Sequence, residues 1–185
     1  HLDVSVDKEA CPNNLAPTSS TTAALAMGDA IAVSLINANN FTPEDFAMSH
    51  PSGSLGRRLL TLVSSIMQSG DDIPMVSKDT LLIDSLLVMS EKALGMVLIA
   101  ENGKLAGIFT DGDLRRTLES NTEFQKLTIE DVMTKDCKSI EPQEPALTAM
   151  QMMEKYSLNS MPVVDSNNNI VGAINMHTLI QAKLF

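Results

Sequence analysis

A strand–turn–helix pattern occurs twice in this 185-residue chain, with the two copies about 65 residues apart. The first copy is Gly107–Leu114, the second is Gly172–Leu179, and each follows a short apolar run. Two further pairs of segments keep nearly the same spacing: Ile66–Met67 with Val132–Met133, and Leu86–Met89 with Met150–Met153. Several anchors with one common period indicate an internal duplication, which has to be interpreted before any single motif.

The first copy predicts a helix, two strands and a second helix. Asp79 or Thr80 is expected to cap a helix with an apolar stripe that includes Leu82, Leu86 and Met89. Two short apolar runs then predict strands on either side of a turn that contains glycine. These runs are Met96–Ile99 and Leu105–Phe109.

The second copy predicts the same order of elements. Pro145 is expected to begin the helix, and the strands are predicted at Met161–Val164 and Ile170–Ile174. A sheet of so few strands cannot cover both of its faces. We therefore expect the two copies to pack on each other.

The turn after the first strand pair exposes groups that suit a phosphate or a ribose. If a helix begins near Asp113, then Thr110, Asp113 and free backbone N–H groups lie at one point. Helix N-termini attract anions, and a carboxylate accepts hydrogen bonds from a diol. The alternative is that Asp111 or Asp113 only caps the helix.

The Gly-x-x-Thr-x-x-Asp sequence at Gly107, Thr110 and Asp113 resembles the nucleotide-binding element of CBS (cystathionine-β-synthase) domains. The resemblance covers roughly the last two-thirds of the chain and implies a tandem pair. It also implies that the hydroxyl contacts phosphate and the carboxylate contacts ribose. The second copy has Asn175 and Thr178 at the matching positions. We therefore expect one nucleotide site, built around the first copy.

Two arginines follow the motif. Arg115 and Arg116 are candidate phosphate ligands, because a planar guanidinium makes two parallel hydrogen bonds to an oxyanion. The alternative for each is an ordinary solvated helix surface.

Composition excludes several classes of function. A net charge of −10 argues against a nucleic-acid partner, which requires clustered Lys and Arg. Cys11 and Cys137 form neither a disulfide framework nor a metal-ligand spacing, and no metal site is expected. The longest apolar run, Ala23–Ile36, is interrupted by Gly28–Asp29 and is short for a membrane span. The protein is therefore expected to be cytoplasmic, with no membrane association.

The first 60 residues carry different signals. Leu2–Val6 alternates like a strand, which leads us to expect that this chain is a fragment of a longer domain. Pro17–Thr22 offers several caps for a helix over Ala23–Ile36, which Asn37–Asn40 ends. His50 precedes a proline and two nearby glycines, so it is expected on a constrained, exposed loop.

Four stretches in this region resemble the end of the sugar isomerase (SIS) domain of arabinose-5-phosphate isomerases, which carry a CBS pair after that domain. These stretches are Glu9–Pro12, Leu15–Thr22, Gly28–Ala30 and Phe46–Pro51. The resemblance implies an α/β (α+β) chain with three parts. They are a C-terminal remnant of a Rossmann-like SIS domain at 1–60, a first CBS domain at 61–122 and a second at 123–185.

The same resemblance implies a chemistry. The family interconverts ribulose 5-phosphate and arabinose 5-phosphate for synthesis of Kdo, an acid sugar of lipopolysaccharide. It assigns catalytic roles to Glu9 and His50, as proton-transfer groups or in ring opening, and no cofactor is required. From the residues alone, the preferred interpretation of Glu9 is a surface carboxylate after a strand, and the alternative for His50 is a side chain that braces its loop.

Two functions therefore remain open. The first is an isomerase whose CBS pair senses a nucleotide or a CMP-sugar such as CMP-Kdo, in a homo-oligomer that acts on a sugar phosphate. The fragment alone is expected to be inactive, because a catalytic site depends on its complete set of groups. The second is a non-catalytic CBS module for regulation or oligomerisation.

Overall fold

A computed structural model describes residues 1–50, 53–120 and 124–183, and it divides into two compact units, 1–49 and 50–185. Each unit is described by itself. The predicted loop residues Pro51 and Ser52 lie outside the described residues, as do the predicted domain limits at residues 122, 123 and 185.

The first unit contains two helices, α1 (Ser19–Ala38) and α2 (Pro43–Ser49). The strand predicted at Leu2–Val6 is wrong, because the described residues of this unit contain no strand with which it could pair. Helix α1 begins earlier and ends later than the predicted Ala23–Ile36. It contains no buried residue, and its length and composition alone would allow it to cross a membrane. One such helix is weak evidence, because a core helix or a signal sequence passes the same test.

The second unit contains both predicted repeats. It begins with α3 (Ser54–Leu60). The first repeat contains β1 (Met75–Ser77), α4 (Leu82–Lys92), β2 (Met96–Glu101), β3 (Lys104–Thr110) and α5 (Asp111–Ser120). The second contains α6 (Ile129–Val132), α7 (Ala146–Tyr156), β4 (Ser160–Val164), β5 (Ile170–Asn175) and α8 (Met176–Gln181). The four predicted strands and both amphipathic helices are thus confirmed.

The two repeats have the same sheet topology. In the first, β1 is parallel to β2 and β2 is antiparallel to β3. In the second, β4 and β5 are antiparallel, and a single parallel bridge from Ile140 to Val163 takes the place of β1. Both antiparallel pairs shift register at equivalent points, after Ile99 and after Val163. The duplication therefore extends to a β-bulge.

Helices α4 and α7 each span 11 residues and end on a left-handed residue, Ala93 and Ser157 respectively. The predicted start at Pro145 is confirmed, whereas the predicted side-chain cap at Asp79 or Thr80 is wrong. The first N–H of α4, from Leu82, instead donates to the carbonyl of Leu127 at 2.9 Å. A backbone acceptor from the other repeat has replaced the side-chain cap.

Each repeat supplies a residue to the core of the other. Val63 precedes the first repeat's sheet but is fully buried among second-repeat residues such as Met153 and Ile174. Ile129 precedes the second repeat's sheet but is fully buried among first-repeat residues such as Phe109. A third apolar cluster, which includes Leu98, lies between the two sheets, as expected for sheets this small.

Two glycines permit this exchange of segments. Gln68 pairs with Ala173 of β5, and Thr134 pairs with Ile108 of β3, each through a single antiparallel bridge. A Cβ atom on Gly107 would lie 2.8 Å from the carbonyl oxygen of Thr134, and one on Gly172 would lie 2.9 Å from that of Gln68. The glycine of each repeated motif is therefore required by close approach of another backbone.

Candidate functional site

The turn between β3 and α5 is a reciprocal cap. The helix begins at Asp111, two residues before the predicted start at Asp113. The backbone N–H and the Oγ1 of Thr110 donate to Asp113 Oδ2 at 2.9 and 2.6 Å, and the N–H of Asp113 donates back to Thr110 Oγ1 at 3.3 Å. This is the geometry of a capping box. The capping alternative for Asp113 therefore describes what its side chain does in this structure.

The second oxygen of Asp113 is also occupied. Its Oδ1 accepts a hydrogen bond from Arg116 Nη2 at 2.6 Å and another from Thr134 Oγ1 at 3.1 Å. Burial alone would raise the pKa of Asp113, but the hydrogen bonds from Thr110, Arg116 and Thr134 outweigh it and lower the pKa. A carboxylate has about four acceptor sites, and four donors fill them here.

A cleft of about 300 Å³ lies beside this turn, between the two repeats. The first repeat lines it with Gly95, Ile108, Thr110, Asp111, Gly112 and Arg116, and the second repeat lines it with Ser157, Leu158, Asn159 and Ser160. The structure therefore brings two of the predicted nucleotide-binding residues, Thr110 and Arg116, to one cavity. Asp113 is not among the lining residues and is only 6% exposed, but it is hydrogen-bonded to both Thr110 and Arg116. Arg115 is exposed on α5 and is not among the lining residues.

Sequence reasoning missed the wall contributed by the second repeat. Ser157–Ser160 follows α7 as Ala93–Met96 follows α4, and both segments turn through a left-handed residue into a buried strand. The period of the duplication was the signal that could have found this wall, since the cavity formed by two packed copies takes equivalent segments from each.

The first turn of α5 leaves one backbone donor available to the cleft. The N–H of Asp111 donates to the carbonyl of Gly95 at 3.3 Å, and the N–H of Asp113 is used in the cap. Gly112 lies between them, lines the cleft and has no side chain to cover its own N–H. With the Arg116 guanidinium, this N–H offers a small anion-binding surface at a helix N-terminus, beside the Thr110 hydroxyl, whose proton is donated to Asp113.

The equivalent turn of the second repeat also caps its helix, but its hydrogen bonds between the N-cap residue and the residue three positions later run in the opposite direction. There Asn175 is the N-cap of α8, and its Oδ1 accepts from the N–H and the Oγ1 of Thr178, both at 2.9 Å. No ionised group takes part in this cap. The second repeat departs from the Gly-x-x-Thr-x-x-Asp motif, and its helix start is therefore kept by a neutral cap.

Glu9 acts as a cap for α1. Its Oε2 accepts from the N–H of Thr18 at 2.7 Å, from Thr18 Oγ1 at 3.0 Å and from the N–H of Ser20 at 3.3 Å, and its Oε1 accepts from the Ser20 hydroxyl. These hydrogen bonds, that from the Ser20 hydroxyl above all, lower the pKa of Glu9 to about 2. The carboxylate is therefore held as an anion and is a weak proton acceptor in this arrangement.

His50 is exposed and follows α2 directly. Its carbonyl accepts a hydrogen bond from the N–H of Gly53 at 3.1 Å. Glu9 belongs to the first unit and His50 to the second. Across residues 1–50, 53–120 and 124–183, no group of three His, Cys, Asp or Glu side chains could hold a metal ion.

The chain is similar to known proteins over its whole length. It is 51% identical over 183 residues to an arabinose 5-phosphate isomerase, KdsD, of Francisella tularensis, covering 99% of this chain and 56% of that one. It is 50% identical over 183 residues to the KdsD of Pseudomonas aeruginosa, with 98% and 56% covered. The predicted resemblance to these isomerases is confirmed, and the chain spans 56% of the length of these relatives.

The second unit has the fold of CBS pairs. A solved structure of the CBS domain pair of protein MJ0100, in complex with 5′-methylthioadenosine and S-adenosyl-L-methionine, is 25% identical with a TM-score of 0.59. That match covers 65% of this chain and 94% of the solved one. The CBS domain family model matches twice, at residues 63–120 and 129–184. As the repeat predicted, the chain belongs to the CBS domain family and contains a tandem pair of these domains.

Proposed function

We propose that this chain is the nucleotide-sensing part of an arabinose 5-phosphate isomerase, with residues 1–60 forming the end of its sugar isomerase domain. The observation that carries the sensing role is the cleft at the N-terminus of α5, where Thr110, Gly112 and Arg116 converge. Identity of about half over nearly the whole chain supports the isomerase assignment. The enzyme would convert ribulose 5-phosphate to arabinose 5-phosphate in the cytoplasm, as a homo-oligomer, for lipopolysaccharide synthesis.

The proposed effector is a nucleotide or a CMP-sugar, with CMP-Kdo as the first candidate because it is the activated product of the route that the isomerase feeds. The CBS pair of MJ0100 holds two nucleoside compounds, which supports a nucleoside ligand in the related cleft of this chain. The phosphate would lie against the Gly112 N–H and Arg116, and the Thr110 hydroxyl would join them by turning its O–H from Asp113 to the phosphate.

Ligand binding would require a rearrangement of Arg116. All four acceptor sites of Asp113 are filled, so the carboxylate can take a ribose hydroxyl only after one donor leaves. Arg116 is the donor best able to leave, because its side chain is 70% exposed. We propose that a phosphate draws Arg116 into the cleft and frees Asp113 Oδ1 for the ribose. Arg115 would act only as an outer phosphate contact.

For catalysis we keep Glu9 and His50 as the candidate residues. Moving a proton between adjacent carbons through an enediol needs a base and a proton shuttle but no redox cofactor. Glu9 would become an effective base only if it gave up part of its four hydrogen bonds, because those bonds lower its pKa to about 2. His50 would open the sugar ring or shuttle a hydroxyl proton.

Binding is tested by calorimetry and thermal unfolding with CMP-Kdo. A ligand at about 100 times its Kd raises the free energy of unfolding by about 2.7 kcal/mol. Thr110→Ala and Asp113→Ala should weaken binding, whereas Asn175→Ala, the matched change in the second repeat, should alter it less. Equal losses from all three substitutions would place the site elsewhere.

Catalysis is tested by assaying arabinose 5-phosphate isomerisation, with and without CMP-Kdo, on the natural polypeptide that contains these 185 residues. Glu9→Gln and His50→Asn should each abolish most of the turnover while the CMP-Kdo affinity persists. The 185-residue chain alone should show no turnover, and measurable turnover by it would contradict that expectation.

The second candidate function is a non-catalytic CBS module. The specific observation in its favour is Glu9, whose carboxylate is fully used as a helix cap and is a weak base in this arrangement. Self-association without any change in thermal unfolding on addition of nucleotides or CMP-sugars would favour this function over sensing.

A further inference from the structure

The cleft between the repeats contains an unpaired carboxylate. Asp111 and Arg116 are the only charged side chains among its described lining residues. The charge of Arg116 is balanced by its ion pair with Asp113 at 2.6 Å. The side chain of Asp111 has no hydrogen-bond or ion-pair partner in the part of the chain that the structure describes. Together with Asp113, which pairs with Arg116, the charged groups at this cleft therefore sum to one negative charge.

The surface that can receive an anion is correspondingly small. On the α5 side it consists of the N–H of Gly112 and the guanidinium of Arg116, because the Thr110 hydroxyl already donates its proton to Asp113. The opposite wall adds only the neutral side chains of Ser157, Asn159 and Ser160. Arg116 is the only cation among the described lining residues, and one guanidinium pairs with one phosphate group. Additional phosphates would find no further cation among the described lining residues.

The backbone of Asp111 is anchored at Gly95. Its N–H donates to the carbonyl of Gly95 at 3.3 Å, and its Oδ2 lies 3.1 Å from the position that a Cβ on Gly95 would take. The exposed carboxylate therefore extends from the first residue of α5, adjacent in sequence to the proposed phosphate position at Gly112. A negative charge on this neighbouring residue repels each added phosphate, and salt screens such a repulsion only weakly at separations below the Debye length.

We propose that Asp111 restricts this cleft to nucleotides with a single phosphate group, either a nucleoside monophosphate or the phosphodiester of a nucleoside monophosphate sugar, and excludes di- and triphosphates. This inference rests on the proposed nucleotide-sensing function and specifies its ligand class. Asp111 is a specificity residue rather than an anchor, because the donors that hold the phosphate are on Thr110, Gly112 and Arg116.

The test is calorimetric titration of the 185-residue chain with CMP, CDP and CTP and with AMP, ADP and ATP, in EDTA so that no divalent cation neutralises the phosphates. For whichever base binds, the triphosphate should bind at least about tenfold more weakly than the monophosphate. Asp111→Asn keeps the side-chain shape and an acceptor oxygen but removes the charge. It should reduce the ratio of the two dissociation constants to about threefold or less.

Glu119→Gln is the matched control, because Glu119 is also an exposed acid on α5 but is not among the cleft-lining residues. It should leave the monophosphate-to-triphosphate ratio at the wild-type value. Equal binding of mono- and triphosphates by the wild type, or a ratio that Asp111→Asn does not change, would overturn this inference alone. Binding of none of the six nucleotides, nor of CMP-Kdo, would overturn the sensing function together with it.

Discussion

The turn that leads into α5 and the turn that leads into α8 occupy equivalent positions in the two repeats and hold their helices with opposite chemistry. In the first, the N-cap Thr110 donates twice to the charged side chain of Asp113. In the second, the N-cap Asn175 accepts twice from Thr178. Only the charged version orients an arginine, through Arg116 Nη2. A helix start can thus be preserved by a neutral pair, whereas a fixed guanidinium beside the cleft depends on the carboxylate.

Among substitutions that test the difference between the charged and the neutral cap, Asp113→Ala is expected to have the largest effect. It should lower the free energy of unfolding by about 2–4 kcal/mol, because four donors lose their common acceptor at a site that is 6% exposed. The matched change Thr178→Ala removes one donor from a neutral cap and should cost about 0.5–1 kcal/mol. Urea unfolding followed by circular dichroism measures both, and equal costs would mean that the charged cap is no stronger than the neutral one.

The two motif glycines should respond alike, because both repeats use them for the same close approach. Gly107→Ala and Gly172→Ala should each cost about 1–3 kcal/mol, since the new methyl group meets a backbone carbonyl at 2.8 and 2.9 Å respectively. Gly28→Ala in α1 is the control: nothing lies within 4 Å of its added methyl group. That change should be neutral or stabilise by up to about 1 kcal/mol. Thermal unfolding of the three variants would expose any asymmetry between the repeats.

Ligand binding should separate the repeats further. Arg116→Met should weaken nucleotide binding about tenfold, because the guanidinium is the only cation among the described residues that line the cleft. Its counterpart Gln181, which contacts His177 at 2.8 Å, serves as the control. Gln181→Met should leave the dissociation constant unchanged. A tenfold loss from Gln181→Met would show that the second repeat also carries a nucleotide site.

The smallest expected effect is a pH dependence confined to the charged cap. Because the pKa of Asp113 is lower in the folded state than the ordinary 3.8, its stabilisation is complete above that value and is lost as the pH falls through the folded-state pKa. The difference in unfolding free energy between wild type and Asp113→Asn should therefore be constant from about pH 7 to about pH 5 and shrink in stronger acid. A difference that grows on acidification would contradict the lowered pKa.

Local patterns predicted those parts of the fold whose hydrogen bonds are local. The strands around the two hairpins and the start of α7 at Pro145 could all be read from the sequence, because hydrophobic period and turn residues act over a few positions. The start of α4 could not be read in this way. Its first N–H bonds to Leu127, which is distant in sequence, so Asp79 and Thr80 were not needed as side-chain caps.

The residues of the candidate site also divide into those that a local pattern predicts and those that it does not. Thr110 and Arg116 could be found because a motif marks them, and both line the cleft. The burial of Asp113 could not be predicted, because one of its four donors is Thr134, which reaches it only through the exchange of segments between repeats. The wall at Ser157–Ser160 has no motif of its own and depends on how the two copies pack.

The reciprocal placement of Val63 and Ile129 has a consequence for any attempt to separate the two copies. Cutting the polypeptide between the two repeats would leave each half with its own strands but without the buried aliphatic side chain that the other half contributes. It would also break the bridges between the halves, which include those of Gln68 to Ala173 and of Thr134 to Ile108. Neither half should be stable as an independent monomer, so an ancestral single copy would have needed a second molecule to supply the missing buried side chain. Gene duplication would then have joined two mutually dependent partners by a peptide link.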